Sequence, residues 1–330
     1  MPSPNLPSPD DILLLAEDWG YSPYMMKQLI LHFPDEYLGI IRAFNQPPKN
    51  TIRVNTLKTT PEKLVSLLSP KGFEFRTTEW IDYGFHVDTS ASRLRLGATH
   101  EYLKGFYYLQ SLGSMIPVQM LYPEPEDRVV DMCAAPGSKT TQIGQFMKQQ
   151  GTLVAVDVKP SRIRALTSNV RRCGINNAII FPADATQLKQ QFKSMFKPNK
   201  ILLDAPCSGS GIIRVDPTLK RMKNDTNIKR LTRIQKDLLK TGLELLSPGG
   251  MLMYSTCSFF YQENEQVVAE TLQQPNMENI EIIEPAEDIG LPGFDHVGDL
   301  DFGYELLKTR RLFPNIHDTD AFFYCLLRKN

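Results

Sequence analysis

The chain has 330 residues, 42% hydrophobic and 22% charged, which suits about two globular domains and excludes a chain built of membrane spans. Lys plus Arg number 37 and Asp plus Glu 37, so the formal net charge of zero gives no global pull toward nucleic acid. Five cysteines without a Cys-x-x-Cys pair, and five scattered histidines, argue against a disulfide framework and a metal centre.

The start, MPSPNLPSPDD, has no basic stretch followed by an apolar one, so no secretory leader is read and a cytoplasmic protein is expected. Residues 1–48 are expected to be a helical segment: DDILLLAEDWG and YMMKQLILHF are amphipathic, the second stopping at Pro34. QPPKN at residues 46–50 is a linker signal. Residues 49–110 read as a small α+β domain, with TIRVNTL, FEFRTTEW and GFHVDTS as strands and TPEKLVSLLSPKG as a helix ending at Gly72.

Residues 111–330 read as the larger domain, and from Asp127 the pattern alternates. DRVVDMCA, TLVAVDV, NAIIFPAD, KILLDAP and MLMYSTCS are strands; SKTTQIGQFMKQQG, SRIRALTSNVRRCG and NIKRLTRIQKDLLKTGLELL are helices. Such alternation predicts α/β architecture, a doubly wound, mostly parallel sheet covered on both faces. The final AFFYCLLRK is expected as an edge strand. Two basic runs, residues 159–172 and 214–233, read either as phosphate-attracting faces or as ordinary solvated helix faces.

Ligands in such sheets bind at the carboxyl ends of the strands. Four strand ends carry Asp131 with Cys133, Asp157, Asp184, and Asp204 with Cys207; a fifth carries Cys257. CAAPGSK (Cys133, Ala134, Ala135, Pro136, Gly137, Ser138, Lys139) is a small-residue loop opening a helix, whose free N–H groups suit an anionic group. It is not a Walker loop, because Ser138 stands where the second glycine is required, and it has no G-x-G-x-x-G pattern. S-adenosylmethionine fits better, with Asp157 on the ribose hydroxyls and Asp184 on the adenine amino group, against the plainer reading that each acid caps the next helix.

Cys173 and Cys325 sit in apolar patterns and read as core residues. Cys207, in DAPCSGSG, and Cys257, in YSTCSF, lie just past strands and face the crevice. A thiolate beside a methyl donor suggests one chemistry: addition to C6 of cytosine makes C5 nucleophilic, and a base later frees C5 of its proton. Asp204, as a carboxylic acid at N3, would meet the charge that develops there. Residue chemistry alone does not rank the two cysteines.

DMCAAPGSKT, DAPCSGSG and YSTCSF, together with RVNTL, YYLQSLGSMIP and RLFPNIHDTDAFF, resemble the RNA 5-methylcytosine methyltransferases of the RsmB/NOL/NSUN class. The resemblance runs from about residue 35 to the end. It implies that Cys257 is the nucleophile and that Cys207 assists release of the product. It implies that residues 133–139, Asp157, Arg162, Asp184 and Asp204 contact S-adenosylmethionine, Asp204 facing the base as well. It further implies an RNA-recognition-like small domain packed on a Rossmann-like methyltransferase domain. Ser111 follows Gln110 where that family often has an acid, so the role of this pair stays open. The expectation is a compact, monomeric, metal-free member acting on structured RNA, with tRNA favoured over rRNA. A small-molecule or protein methyltransferase and a non-catalytic RNA-binding protein are the rivals.

Overall fold

The computed structural model describes residues 7–192 and 195–330; residues 1–6, the start of the stretch read as lacking a leader, lie outside them. Three helices open the described chain, Pro9–Trp19, Pro23–His32 and Tyr37–Phe44. Ser8 and Ser22 cap the first two, accepting from the backbone N–H of Asp11 and Met25. The apolar faces of all three meet Phe259, Phe260 and Phe313 of the larger domain. His32 lies buried among these rings, and its Nε2 accepts from the Tyr261 N–H at 3.3 Å. Burial lowers the His32 pKa to about 4, so the ring is neutral near pH 7.

The small domain is an antiparallel sheet ordered β2-β3-β1-β4, formed by β1 (Thr51–Val54), β2 (Glu74–Thr77), β3 (Gly84–Asp88) and β4 (Tyr107–Leu109). Residue alternation divides its faces. Ile52, Val54 and Tyr107 pack with Leu64 and Leu68 of the helix Pro61–Leu68. Arg53 and Tyr108, paired across β1 and β4, are buried on the opposite face, toward the larger domain. That part of the sheet is therefore closed to stacked bases.

In the larger domain, nine strands among the described residues form one sheet. They are β5 (Arg128–Asp131), β6 (Thr152–Asp157), β7 (Ala178–Pro182), β8 (Lys200–Asp204), β9 (Met251–Thr256), β10 (Ile280–Ile283), β11 (Leu291–Pro292), β14 (Arg310–Leu312) and β15 (Phe322–Lys329). A separate two-stranded ribbon pairs β12 (His296–Val297) with β13 (Leu300–Asp301). The order is β11-β14-β15-β9-β8-β5-β6-β7, with β10 also paired to β15. Strands β5 to β9 are mutually parallel, as the alternation predicts. The last strand is not at an edge: β15 pairs with β9 on one side and with β10 and β14 on the other. Its apolar run reflects that position, since Phe322 through Leu327 are all buried.

Helices cover both faces. Leu112–Leu121 and Ser138–Phe146 pack on one side, and Thr226–Leu245 with Glu265–Leu272 on the other. Among the described residues no helix is long and apolar enough to cross a membrane.

Candidate active site

The strand order reverses at β5: β6 and β7 lie on one side, β8 and β9 on the other. The crevice at the carboxyl ends of these strands gathers the loop after β5, Asp157, Asp204, Cys207 and Cys257. Gly137 takes φ 105°, a left-handed conformation, and a Cβ there would lie 3.0 Å from Leu166. This turn delivers Ser138 to the start of a nine-residue helix.

Asp157 ties the loop to its neighbour. Its Oδ2 accepts from the Ala135 N–H at 3.2 Å, its Oδ1 from the Lys159 N–H at 2.9 Å, and Arg162 lies 3.5 Å away. Arg162 also donates to the Ala135 carbonyl. Asp184 is exposed and caps the next turn, its Oδ1 accepting from the N–H and hydroxyl of Thr186 at 3.0 and 2.8 Å. The plainer capping role is thus present at Asp184.

Lys139 reaches back across the crevice. Its Nζ is 2.7 Å from Asp204 Oδ2 and donates to the Ser114 hydroxyl at 2.9 Å. Ser255, at the end of β9, donates to Asp204 Oδ1 at 2.9 Å. Behind them Asp131 is fully buried, and burial raises its pKa to about 7 although Thr140 donates to it at 2.6 Å. Among the described residues, no partner reaches Asp131 Oδ1.

The two thiols face each other, Cys207 Sγ to Cys257 Sγ at 3.2 Å, and both are half-buried. The hydrogen bond to Cys257 and burial push the Cys207 thiol well above its ordinary value, so it stays protonated. Burial does the same to Cys133, while Cys173 and Cys325 lie in the core. The Cys207 turn is held from behind by Glu263, which accepts from the Ser208 N–H at 2.8 Å, the Ser208 hydroxyl at 2.5 Å and Gln235 at 3.1 Å. Gln235 also donates to the Pro206 carbonyl at 2.9 Å. The two cysteine turns meet through Gly211, whose N–H donates to the Cys257 carbonyl at 2.9 Å and whose carbonyl accepts from Ala321 at 3.1 Å. A Cβ on Gly211 would lie 2.8 Å from the Cys257 carbonyl oxygen.

Arg53 joins the small domain to this site. Its Nη1 donates to Gln110 Oε1 and to the Ser138 carbonyl, both at 2.6 Å, and its Nη2 donates to Thr141 at 2.8 Å. Gln110, whose role was open, is the hub of this network, since its Nε2 also donates to Ser114 and Gln142. Ser111 lines a cleft with Asp320. Sequence reasoning missed Arg53, Ser114, Gln235, Ser255 and Glu263. An arginine alternating with apolar residues in RVN was the one available signal.

The basic runs divide. Arg172 donates to the Tyr102 and Tyr107 carbonyls at 2.7 and 3.1 Å and stacks on Tyr102, so it is structural. Arg214 is buried and Lys220 bonds Asn45. Arg164, Arg171, Arg221, Lys223, Lys229, Arg230 and Arg233 are exposed. Among the described residues, no group of three metal-binding side chains gathers.

Residues 118–328 match the family model described as 16S rRNA methyltransferase RsmB/F, and residues 24–112 match the N-terminal domain of 16S rRNA methyltransferase RsmF. The chain belongs to the RsmB/F family. Family resemblance extends to curated relatives: the 26S rRNA (cytosine-C(5))-methyltransferase of Caenorhabditis elegans is 36% identical over 96% of this chain and 47% of its own length. The ribosomal RNA small subunit methyltransferase F of Salmonella paratyphi C is 35% identical over 92% of this chain and 65% of its own. The chain thus spans about half the length of the first of these and two thirds of the second. A methyltransferase homolog from Pyrococcus horikoshii has a TM-score of 0.85 at 33% identity, covering 97% of this chain and 99% of that one. NSun6 from the same organism has a TM-score of 0.79 at 25% identity, covering 92% and 97%.

These RsmB/F relatives overturn the expectation of a compact tRNA-directed member with tRNA as the favoured partner. The curated relatives at 35–36% identity are rRNA methyltransferases. The preference for tRNA rested on the compactness of the chain, and nothing in the size of a catalytic core encodes its RNA.

Proposed function

We propose that this protein is an RNA (cytosine-5-)-methyltransferase that uses S-adenosylmethionine and acts on ribosomal RNA. The observation that carries the reading is the pair of half-buried thiols 3.2 Å apart at the ends of β8 and β9, beside the Asp204–Lys139 pair and the loop after β5. The rRNA substrate is supported by the printed names of the curated relatives.

The residues present fit the cofactor. A helix start preceded by small residues suits its carboxylate, and the Asp157 carboxylate at the end of β6 suits ribose hydroxyls. Asp184 keeps Oδ2 for the adenine edge while its Oδ1 caps. The bound cofactor supplies an electrophilic methyl group.

Cys257 Sγ adds to C6 of the cytosine. The hydrogen bond to Cys257 and burial keep the Cys207 thiol protonated, which leaves Cys257 as the sulfur that attacks. The Asp204–Lys139 pair faces N3 and provides the proton and the compensating charge as electrons move onto the ring. Once Cys257 is bonded to carbon its charge is gone, and ionisation of Cys207 becomes easier. Once C5 carries the methyl group it is tetrahedral and still holds its proton. Cys207, its own proton lost to solvent, takes that proton. The C5=C6 bond re-forms as the C6–S bond breaks with its electrons returning to Cys257, and N3 gives its proton back to the Lys139–Asp204 pair. A cytosine held in a helix must swing out to reach these sulfurs.

Incubation with labelled S-adenosylmethionine and separate rRNA, tRNA, DNA and protein substrates tests the reading. Label in rRNA that maps to 5-methylcytosine by bisulfite sequencing is expected. Label confined to another substrate, or to another atom of the base, overturns it.

A further inference from the structure

A cleft of about 350 Å³ opens between the linker after the N-terminal helices and the larger domain. Lys49, Ser111, Arg214, Val215, Asp318 and Asp320 are among its walls. Two short backbone paths place it beside the thiols. Gly211, three residues before Arg214, bonds the Cys257 carbonyl at 2.9 Å, and Ala321, next to Asp320, bonds Gly211 at 3.1 Å. Gln110, in the opposite wall, shares Arg53 Nη1 with Ser138 of the cofactor loop.

The unusual member is Arg214. Its side chain is only 6% exposed, yet its donors are poorly used. Nη2 donates to the Pro47 carbonyl at 3.2 Å, Nη1 stands 3.9 Å from Asp318, and among the described residues Nε has no partner. A buried guanidinium ordinarily fills its five donors, because an unpaired charge in low dielectric is costly. The nearest carboxylate is held away: Asp318 forms its close ion pair with Lys49 instead. Asp320, also in the wall, makes no ion pair within 4 Å among the described residues; burial pushes its carboxyl upward, an effect that Arg214 partly offsets.

We propose that this cleft is the subsite for the nucleotide flanking the target cytosine, with Arg214 receiving its phosphate. The inference rests on the RNA reading above. A planar guanidinium fork suits phosphate oxygens, and the cavity is large enough for a group of about nucleotide size. Such a contact positions the strand without reading sequence, which is what a base swung out of its stack requires of its neighbour.

The probe is a fluorescein-labelled, 12-nucleotide single-stranded RNA with one cytosine. Three further versions carry an uncharged methylphosphonate at the linkage 5′ of that cytosine, 3′ of it, or four linkages away. Binding is read by anisotropy on the full chain with S-adenosylhomocysteine present, so the result does not depend on methyl transfer. One flanking methylphosphonate should weaken binding to the wild type about tenfold, the scale of one charge-assisted contact, and binding to Arg214→Gln less than about twofold. The distal one should affect both proteins equally. Equal losses in wild type and variant at both flanking linkages overturn the proposal. Thermal melting checks that Arg214→Gln is folded. Should it unfold, Val215→Glu replaces it, because Val215 is 59% exposed at the cleft and tolerates a charge. Val215→Glu should lose the same flanking-linkage sensitivity, and retention of full sensitivity overturns the proposal. Absence of methyl transfer by a wild type that shows this linkage effect removes the enzymatic reading and leaves the subsite standing.

Discussion

Replacing Arg53 by Met tests whether the small domain holds the loop after β5 in place. The substitution keeps most of the side-chain length and removes three donated hydrogen bonds at 2.6, 2.6 and 2.8 Å. Hydrogen bonds from a charged donor are worth roughly 1.5–3 kcal/mol each, so the gross loss is about 4.5–9 kcal/mol. Several kcal/mol return because a guanidinium no longer has to leave water. The acceptors also keep partial partners: Thr141 still donates to the Ser138 carbonyl at 3.0 Å, and Gln110 keeps its bonds to Ser114 and Gln142. The net expectation is a loss of about 3 kcal/mol, the low end for breaking a buried charged network. Urea unfolding followed by circular dichroism measures it, and calorimetric titration with S-adenosylhomocysteine measures the accompanying fall in affinity. A loss below about 1 kcal/mol with unchanged affinity would refute the argument, since it would lie within the range of an ordinary surface change.

Cys257→Ala should abolish methylation while S-adenosylhomocysteine still binds in calorimetry; retained turnover removes the nucleophile assignment. With Cys207→Ala, a denaturant-stable protein–RNA adduct should build up on gels, and its absence counts against the release role. Asp131 has a folded pKa raised to about 7 from 3.8, so its neutral form contributes stability that is complete below pH 3.8 and is lost as pH rises through 7. Asp131→Asn, fixed in the neutral state, should therefore gain in melting temperature relative to wild type at pH 8 compared with pH 5; equal differences at both pH values exclude the buried-acid account. Glu263→Ala leaves the Ser208 N–H and hydroxyl without their acceptor and should lower kcat with little change in S-adenosylhomocysteine affinity. Loss of that affinity in equal measure would show a general collapse of the crevice.

The parallel strands were legible because their apolar runs alternate with amphipathic helices, and the crevice because small or acidic residues stand at successive strand ends. What escaped the sequence depends on neighbours distant in the chain. The place of β15 is set by β10 and β14, short strands whose pairing no local pattern announces. Asp184 looks like Asp157 in sequence, yet one binds only its own turn and the other ties two loops together. Arg53 reads as an ordinary strand residue until its partners 57 to 88 positions away are placed around it. Within the helical segment expected over residues 1–48, the break at Pro34 and the restart of the third helix at Tyr37 become plain only when its apolar face is seen against Phe259 and Phe313.

Main-chain stitching at Gly211 has a consequence for how this crevice can vary. Because the peptide groups of residues 211, 257 and 321 are bonded together with no space for a methyl, the separation of the two cysteine turns is a property of the backbone. Side chains around them can vary without moving the turns apart. A shift of either turn drags its counterpart along, and the terminal strand with it.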